Sequence, residues 1–167
     1  MSGSSLEKRA ILDSARKREG KTVFLSHSSK DEEHLPLIIT ILENHGARVY
    51  VDVKDERLPD TPSVETAKIL RESLSFCRKF ILFVTTNSKD SKWIPWELGV
   101  GDGEKRPSNV ALIPAAEHAW DQKWAEQEFL GLYDRILWGN FVNEKPEWLV
   151  YNHHNNSAVR LREWLSR

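Results

Sequence analysis

Five apolar runs, continuous rather than alternating, recur along this chain at helix-sized intervals, and that rhythm restricts its fold more than any other feature. They are Thr22–Ser26, Arg48–Val51, Lys79–Thr85, Asn109–Ile113 and Arg135–Trp138. A strand with one wet face alternates apolar and polar residues. A strand that is apolar throughout, such as Phe80-Ile81-Leu82-Phe83-Val84, reads as one covered on both faces. Between the runs lie segments of helical period. Leu35, Ile38, Ile39 and Leu42 fall at i, i+3, i+4 and i+7, one apolar face. Ala67, Leu70 and Leu74 carry a second helix, and a third opens near Trp93. The alternation predicts an α/β fold with a central parallel five-stranded sheet flanked by helices. Right-handed crossovers then bring the loops after Ser26, Val51 and Thr85 to one edge, outside the C-terminal strand ends where such sheets bind ligands.

Local signals set the element ends. Ser29-x-x-Glu32 reads as a capping box, Gly46 as a helix stop and Pro62 as a helix start. The helix from Trp93 is expected to end in the glycine-rich stretch Gly99–Gly103, and a last helix to cover Ser157–Ser166. Leu6, Ala10, Ile11 and Ala15, set among charged residues and closed by Gly20, predict an extra N-terminal helix. The expected division is therefore a leader helix over 1–20 and the main domain over 21–167.

Bulk properties narrow the class. A length of 167 residues suits one domain with a proper core. A net charge of −1 gives no electrostatic footprint for nucleic acid or an anionic membrane. No run approaches the ~18 apolar residues of a membrane span. The single cysteine, Cys77, excludes an intrachain disulfide framework and reads as a small core residue. With no signal-peptide core, the expectation is a soluble cytoplasmic protein with neither nucleic-acid nor membrane partners.

The chemistry concentrates on Ser91-Lys92-Trp93-Ile94-Pro95-Trp96-Glu97. Trp93 and Glu97 stand at i and i+4 and share a helix face. Pro95 fits because the first helical turn has amides without intrahelical partners, and the dipole favours a carboxylate near that end. Taken bare, the pattern also describes a surface glutamate beside two core tryptophans. Gly99-Val100-Gly101-Asp102-Gly103 follows a helix and lacks a GK[ST] ending, so it reads as a helix exit rather than a phosphate loop. His153-His154 lacks companion ligands at metal-binding spacing, no metal is expected, and Glu117, Glu126 and Glu128 read as solvated carboxylates.

Phe24-Leu25-Ser26-His27-Ser28-Ser29-Lys30-Asp31 resembles the first signature box of Toll/interleukin-1 receptor (TIR) domains. Ser91-x-Trp93-x-x-x-Glu97 resembles the motif that carries the catalytic glutamate in NAD-cleaving members. The resemblance spans roughly residues 21–140 and implies a flavodoxin-like TIR fold of the bacterial NAD-cleaving type. By that resemblance Glu97 is the catalytic residue. Ser28, Ser29 and Lys30 line the nicotinamide end of the cleft, and Trp93 is similar to the aromatic that contacts the bound nucleotide. From the residues themselves, Ser26 and Asp52 stand at the same edge, His27 reads equally as a site-edge residue or a loop filler, and Trp93 or Trp96 is available to stack on a ring of the nucleotide. NAD is then the substrate rather than a cofactor. The family further implies self-association through the loop 52–63, a role in antiphage defence, and a separate effector that reads the product. The leader helix and the segment from Glu117 to Gln127 fall outside the family pattern.

Two other classes compete. A non-catalytic TIR adaptor would bind partners through the same loop but has no use for the Glu97 carboxylate. A nucleoside deoxyribosyltransferase also uses a glutamate on an N-glycosidic bond, but would turn over deoxynucleosides and ignore NAD. A phosphoreceiver needs an acidic pair after its first strand, where this chain has Ser26-His27-Ser28-Ser29.

Overall fold

A computed structural model describes residues 21–51, 64–91, 93–115 and 131–167. The expected leader helix, Asp52, the loop 52–63, Pro62 and the segment from Glu117 to Gln127 lie outside the described residues. The five expected strands are present as β1 (Thr22–Ser26), β2 (Arg48–Val51), β3 (Lys79–Val84), β4 (Val110–Pro114) and β5 (Asp134–Gly139). They pair in parallel in the order β2-β1-β3-β4-β5. Two strands not foreseen from the sequence extend the sheet, β6 (Glu147–Asn152) and β7 (Ser157–Arg160), both antiparallel. Their presence corrects the reading of Ser157–Ser166 as one helix. Ser157–Arg160 pairs with β6, and only Leu161–Ser166 (α4) is helical.

Alternate residues along each strand feed opposite faces, as the pleat requires. Val23, Leu25, Ile81, Phe83 and Ile113 pack against α1 (Leu35–Asn44) and α4, through Ile38, Leu42, Leu161 and Trp164. Phe24, Phe80, Leu82 and Leu112 pack against α2 (Val64–Phe76) and α3 (Trp93–Glu104), through Leu70, Leu74, Ile94 and Leu98. Cys77 is buried in this second layer.

One helix start differs from expectation. The chain leaves β1 through a short 3-10 turn, Ser29–His34, before α1 begins, with Pro36 in the first α turn. Ser28, not Ser29, is the N-cap, and its hydroxyl accepts from the Lys30 amide at 3.4 Å. Helix α3 continues through the whole glycine-rich stretch and ends at Glu104, one residue beyond it. Packing overrides the low helix propensity of glycine here. A Cβ on Gly101 would stand 3.0 Å from the Phe80 ring, so the missing side chain is what lets α3 lie close on β3.

Gly46 ends α1 with φ +95°, as a C-terminal stop should. Gly46→Ala forces a Cβ into the left-handed region and is expected to cost about 1 kcal/mol or more. A chemical denaturation midpoint checks this.

Lys79 opens β3 at 2% exposure. Its ammonium is pushed down to about 8, first by burial and then by Arg78 and Arg167. Between about pH 8 and 9 the unfolded chain keeps a proton that folded Lys79 gives up, so stability should rise with pH. Above about 9 the rise is opposed, because burial pushes the Cys77 thiol up to about 12 and the folded state then holds the extra proton. Denaturation at a series of pH values should show the rise in the wild type and flatten it in Lys79→Met.

Candidate active site

The C-terminal edge of the parallel sheet holds Ser26 and the residues that follow it, met there by Glu97. β1 ends at Ser26, paired with Leu82 of β3, and Leu25 pairs with Val51 of β2. His27 and Ser28 continue from β1 and are buried, Ser29 is half-buried, and Lys30 is exposed on the 3-10 turn.

Glu97 reaches this edge from α3. The Ser91 hydroxyl accepts from the Ile94 amide at 3.3 Å near the helix start, with Pro95 following in the first turn. Ile94, Glu97, Leu98 and Gly101 then fall at i, i+3, i+4 and i+7 on the face that meets the sheet. Ile94 and Leu98 are buried in the core layer, Gly101 sits on the Phe80 ring, and Glu97 is carried into contact with the end of β1. There the Ser26 hydroxyl donates to Glu97 Oε2 across 71 residues of sequence. Glu97 is 0% exposed. The side chain is therefore not a surface glutamate but a buried carboxylate held by a hydroxyl at the C-terminal edge of the sheet.

The edge is tied together by Asp31, the last residue of the first signature box. Its carboxylate is 2% exposed. Oδ2 accepts from the Thr85 hydroxyl at 2.6 Å and Oδ1 from the Asn87 side-chain amide at 2.6 Å. The loop after β1 is thus fastened to the loop after β3. Thr85 closes a capping box over the 3-10 turn Thr86–Asp90, which leads into α3. The polar spacing that could have revealed this was Asp31 against Thr85-x-Asn87, a pairing that only the sheet register makes visible.

Beside the edge, His27, Glu32, Leu35, Pro36, Ile39 and Val51 line a cavity of about 200 Å³. Larger hollows lie elsewhere. Trp96, 37% exposed, lines an outer groove of about 520 Å³ with Pro95, Gly99 and Gly103 of α3 and Arg71 of α2. Neighbouring helix positions differ by about 100° in direction, so Trp96 is carried away from the face that bears Glu97. The Trp93 backbone opens α3, but its side chain lies outside the described residues. Ser26 and Glu97 are thus brought into contact, His27, Ser28, Ser29 and Lys30 follow Ser26 at the same sheet edge with His27 lining the cavity beside α1, and Trp96 lies elsewhere.

A buried carboxylate with one oxygen taken by a serine hydroxyl can accept from ligand hydroxyls and can stabilise a developing positive charge. The apolar residues around it strengthen that interaction by excluding water.

Comparison with known proteins bears on this arrangement. The profile of the family described as TIR domain matches residues 23–149. The chain is also similar to the probable 3' cyclic ADP-D-ribose synthase ThsB' of Bacillus cereus (strain MSX-D12). The two are 36% identical over 163 residues, covering 94% of this chain and 83% of that relative.

Proposed function

The chain belongs to the TIR domain family, and on that premise we propose that it cleaves the nicotinamide–ribose bond of NAD and closes the remaining ADP-ribose into a cyclic isomer. The observation that carries the reading is the Ser26–Glu97 contact at the C-terminal sheet edge. The similarity to a cyclic ADP-ribose synthase supports it.

NAD bears a cationic nicotinamide on an anomeric carbon. When the C–N bond breaks, its electron pair returns to the ring and nicotinamide leaves neutral. Ordinary glycoside hydrolysis needs a second carboxyl group to protonate the leaving group; here none is required. Glu97 accepts from the ribose hydroxyls and faces the positive charge that develops on the sugar. Ser26 donates to one carboxylate oxygen and so helps fix the orientation of Glu97. A nucleophile within the same nucleotide then attacks the anomeric carbon, and its proton passes to the Glu97 carboxylate. Ser28, Ser29 and Lys30 border the nicotinamide end.

In the closed state Glu97 is fully covered, so the edge must open before NAD can enter. Self-association through the loop 52–63 is the proposed trigger. The proposed setting is cytoplasmic antiphage defence, with a separate effector reading the product, and residues 1–20 forming a leader to the domain. Among the described residues no helix is long and apolar enough to cross a membrane.

Product analysis in heavy-oxygen water tests the reaction. Cyclisation predicts nicotinamide together with a product one water lighter than ADP-ribose and free of the heavy isotope. Linear ADP-ribose carrying the isotope would instead make the enzyme a hydrolase. Turnover of deoxynucleosides without NAD cleavage would overturn the proposal.

A further inference from the structure

The opposite edge of the sheet holds a second polar cleft that the chemistry at Glu97 does not use. It lies at the N-terminal ends of β3 and β5 and measures about 390 Å³, at the small end of the roughly 300–1,000 Å³ typical of small-molecule sites. Among the described residues three cationic side chains line it, Lys79, Arg106 and Arg167, against one acidic side chain, Asp134.

Lys79 is the unusual member. Lysine is almost never fully buried unless paired, yet it is 2% exposed. Its Nζ donates to Asn109 Oδ1 at 2.5 Å and lies 4.4 Å from the centroid of the Trp164 ring. Trp164 is itself pinned, donating from Nε1 to the Ser108 carbonyl at 2.9 Å. No carboxylate of the described residues forms an ion pair with Lys79, and the neighbouring charges acting on it are those of Arg78 and Arg167. An ammonium has three protons to donate, so a neutral amide and a ring face leave it short of anionic acceptors. Arg167 is partly engaged by Glu163, whereas Arg106 is exposed at the rim.

Across the cleft the chemistry changes. The Asp134 carboxyl is bonded to the Asn152 side chain and held above the usual carboxylate range by burial, and Ser157 lies alongside. That side suits the hydroxyls of a sugar, while the Lys79 side suits an oxyanion with several terminal oxygens.

We propose that this cleft binds a phosphorylated sugar or mononucleotide, its phosphate against Lys79 and Arg106 and its hydroxyls against Asp134 and Asn152. The site is distinct from the Glu97 edge and does not depend on the reaction assigned there.

Calorimetric titration of the full chain with ribose 5-phosphate, and with ribose as the phosphate-free control, tests it. Ribose 5-phosphate should bind at least roughly tenfold more tightly than ribose, the weight of one charge-assisted contact. Ser108→Glu places a carboxylate on an exposed rim position without touching the Ser108 carbonyl, and should weaken binding by roughly tenfold or more. Lys79→Met should do the same; should that variant fail to fold, Ser108→Glu decides. Glu97→Gln should bind as the wild type does. Equal affinity for ribose and ribose 5-phosphate overturns the proposal, as does absence of binding by the wild type. Binding that survives Ser108→Glu but is lost in Glu97→Gln would place the ligand at the other edge and also overturn it.

Discussion

Asp31→Ala is expected to lower stability by about 3 kcal/mol, from two hydrogen bonds to a charged group whose donors are half-buried. The carboxylate is almost fully buried and accepts from Thr85 and Asn87, so truncation leaves the Thr85 hydroxyl proton and the Asn87 NH2 without this acceptor. For a chain of this size that corresponds to a fall in Tm of roughly 6–12 °C. Asp31→Asn retains one oxygen for Asn87 but presents an NH2 group to Thr85, and should fall about midway. Because the bonds join the loop carrying His27 and Ser28 to the turn that leads into α3, cleavage of NAD should fall along with stability. Denaturation curves of the three proteins check the ordering. A wild-type midpoint in Asp31→Ala would show that the two loops hold together without this tie.

Glu97→Gln should behave in the opposite way, with activity lost and the fold kept. Glutamine preserves the shape and can still accept from the Ser26 hydroxyl, so the packing of α3 on β3 is unchanged. Burying a carboxylate at 0% exposure costs free energy that a neutral amide does not. Tm should therefore stay level or rise. Activity should drop by roughly 10²–10³-fold or more, the range seen when one preorganised stabiliser of transition-state charge is removed. The contrast with Asp31→Ala separates a residue kept for chemistry from one kept for architecture. If Glu97→Gln destabilised the fold as Asp31→Ala does, the buried carboxylate would be structural.

The parallel sheet was legible because its central strands β1, β3 and β4 are nearly continuous apolar runs separated by helix-sized intervals. β6 and β7 escaped because they follow β5 through short connections rather than the helix-sized intervals that mark the other strands, and Ser157-Ala158-Val159-Arg160 has only two apolar residues. Ser157–Arg160 also runs straight into α4, so sequence periodicity blends the two. The end of α3 was placed to within a residue or so, but why glycine sits inside it was not legible; the Phe80 ring beneath Gly101 supplies the reason. At the site, Glu97 and the Ser26-His27-Ser28 run could be picked out by their motifs. That Ser26 donates to Glu97 depends on the register of β1 with β3 and the tilt of α3, which no local spacing encodes. Trp96 shows the limit from the other side. Adjacent to Glu97 in sequence, it points into an outer groove because one step along a helix turns the side chain away.

The central claim is that the Glu97 carboxylate breaks the nicotinamide–ribose bond. Its most direct test is nicotinamide release from NAD by wild type and Glu97→Gln at matched high protein concentration, with a dilution series of each. Nicotinamide should appear with the wild type, faster per molecule in concentrated than in dilute samples, and stay at background with folded Glu97→Gln. Equal release by both proteins, or none by the wild type at any concentration, would contradict it.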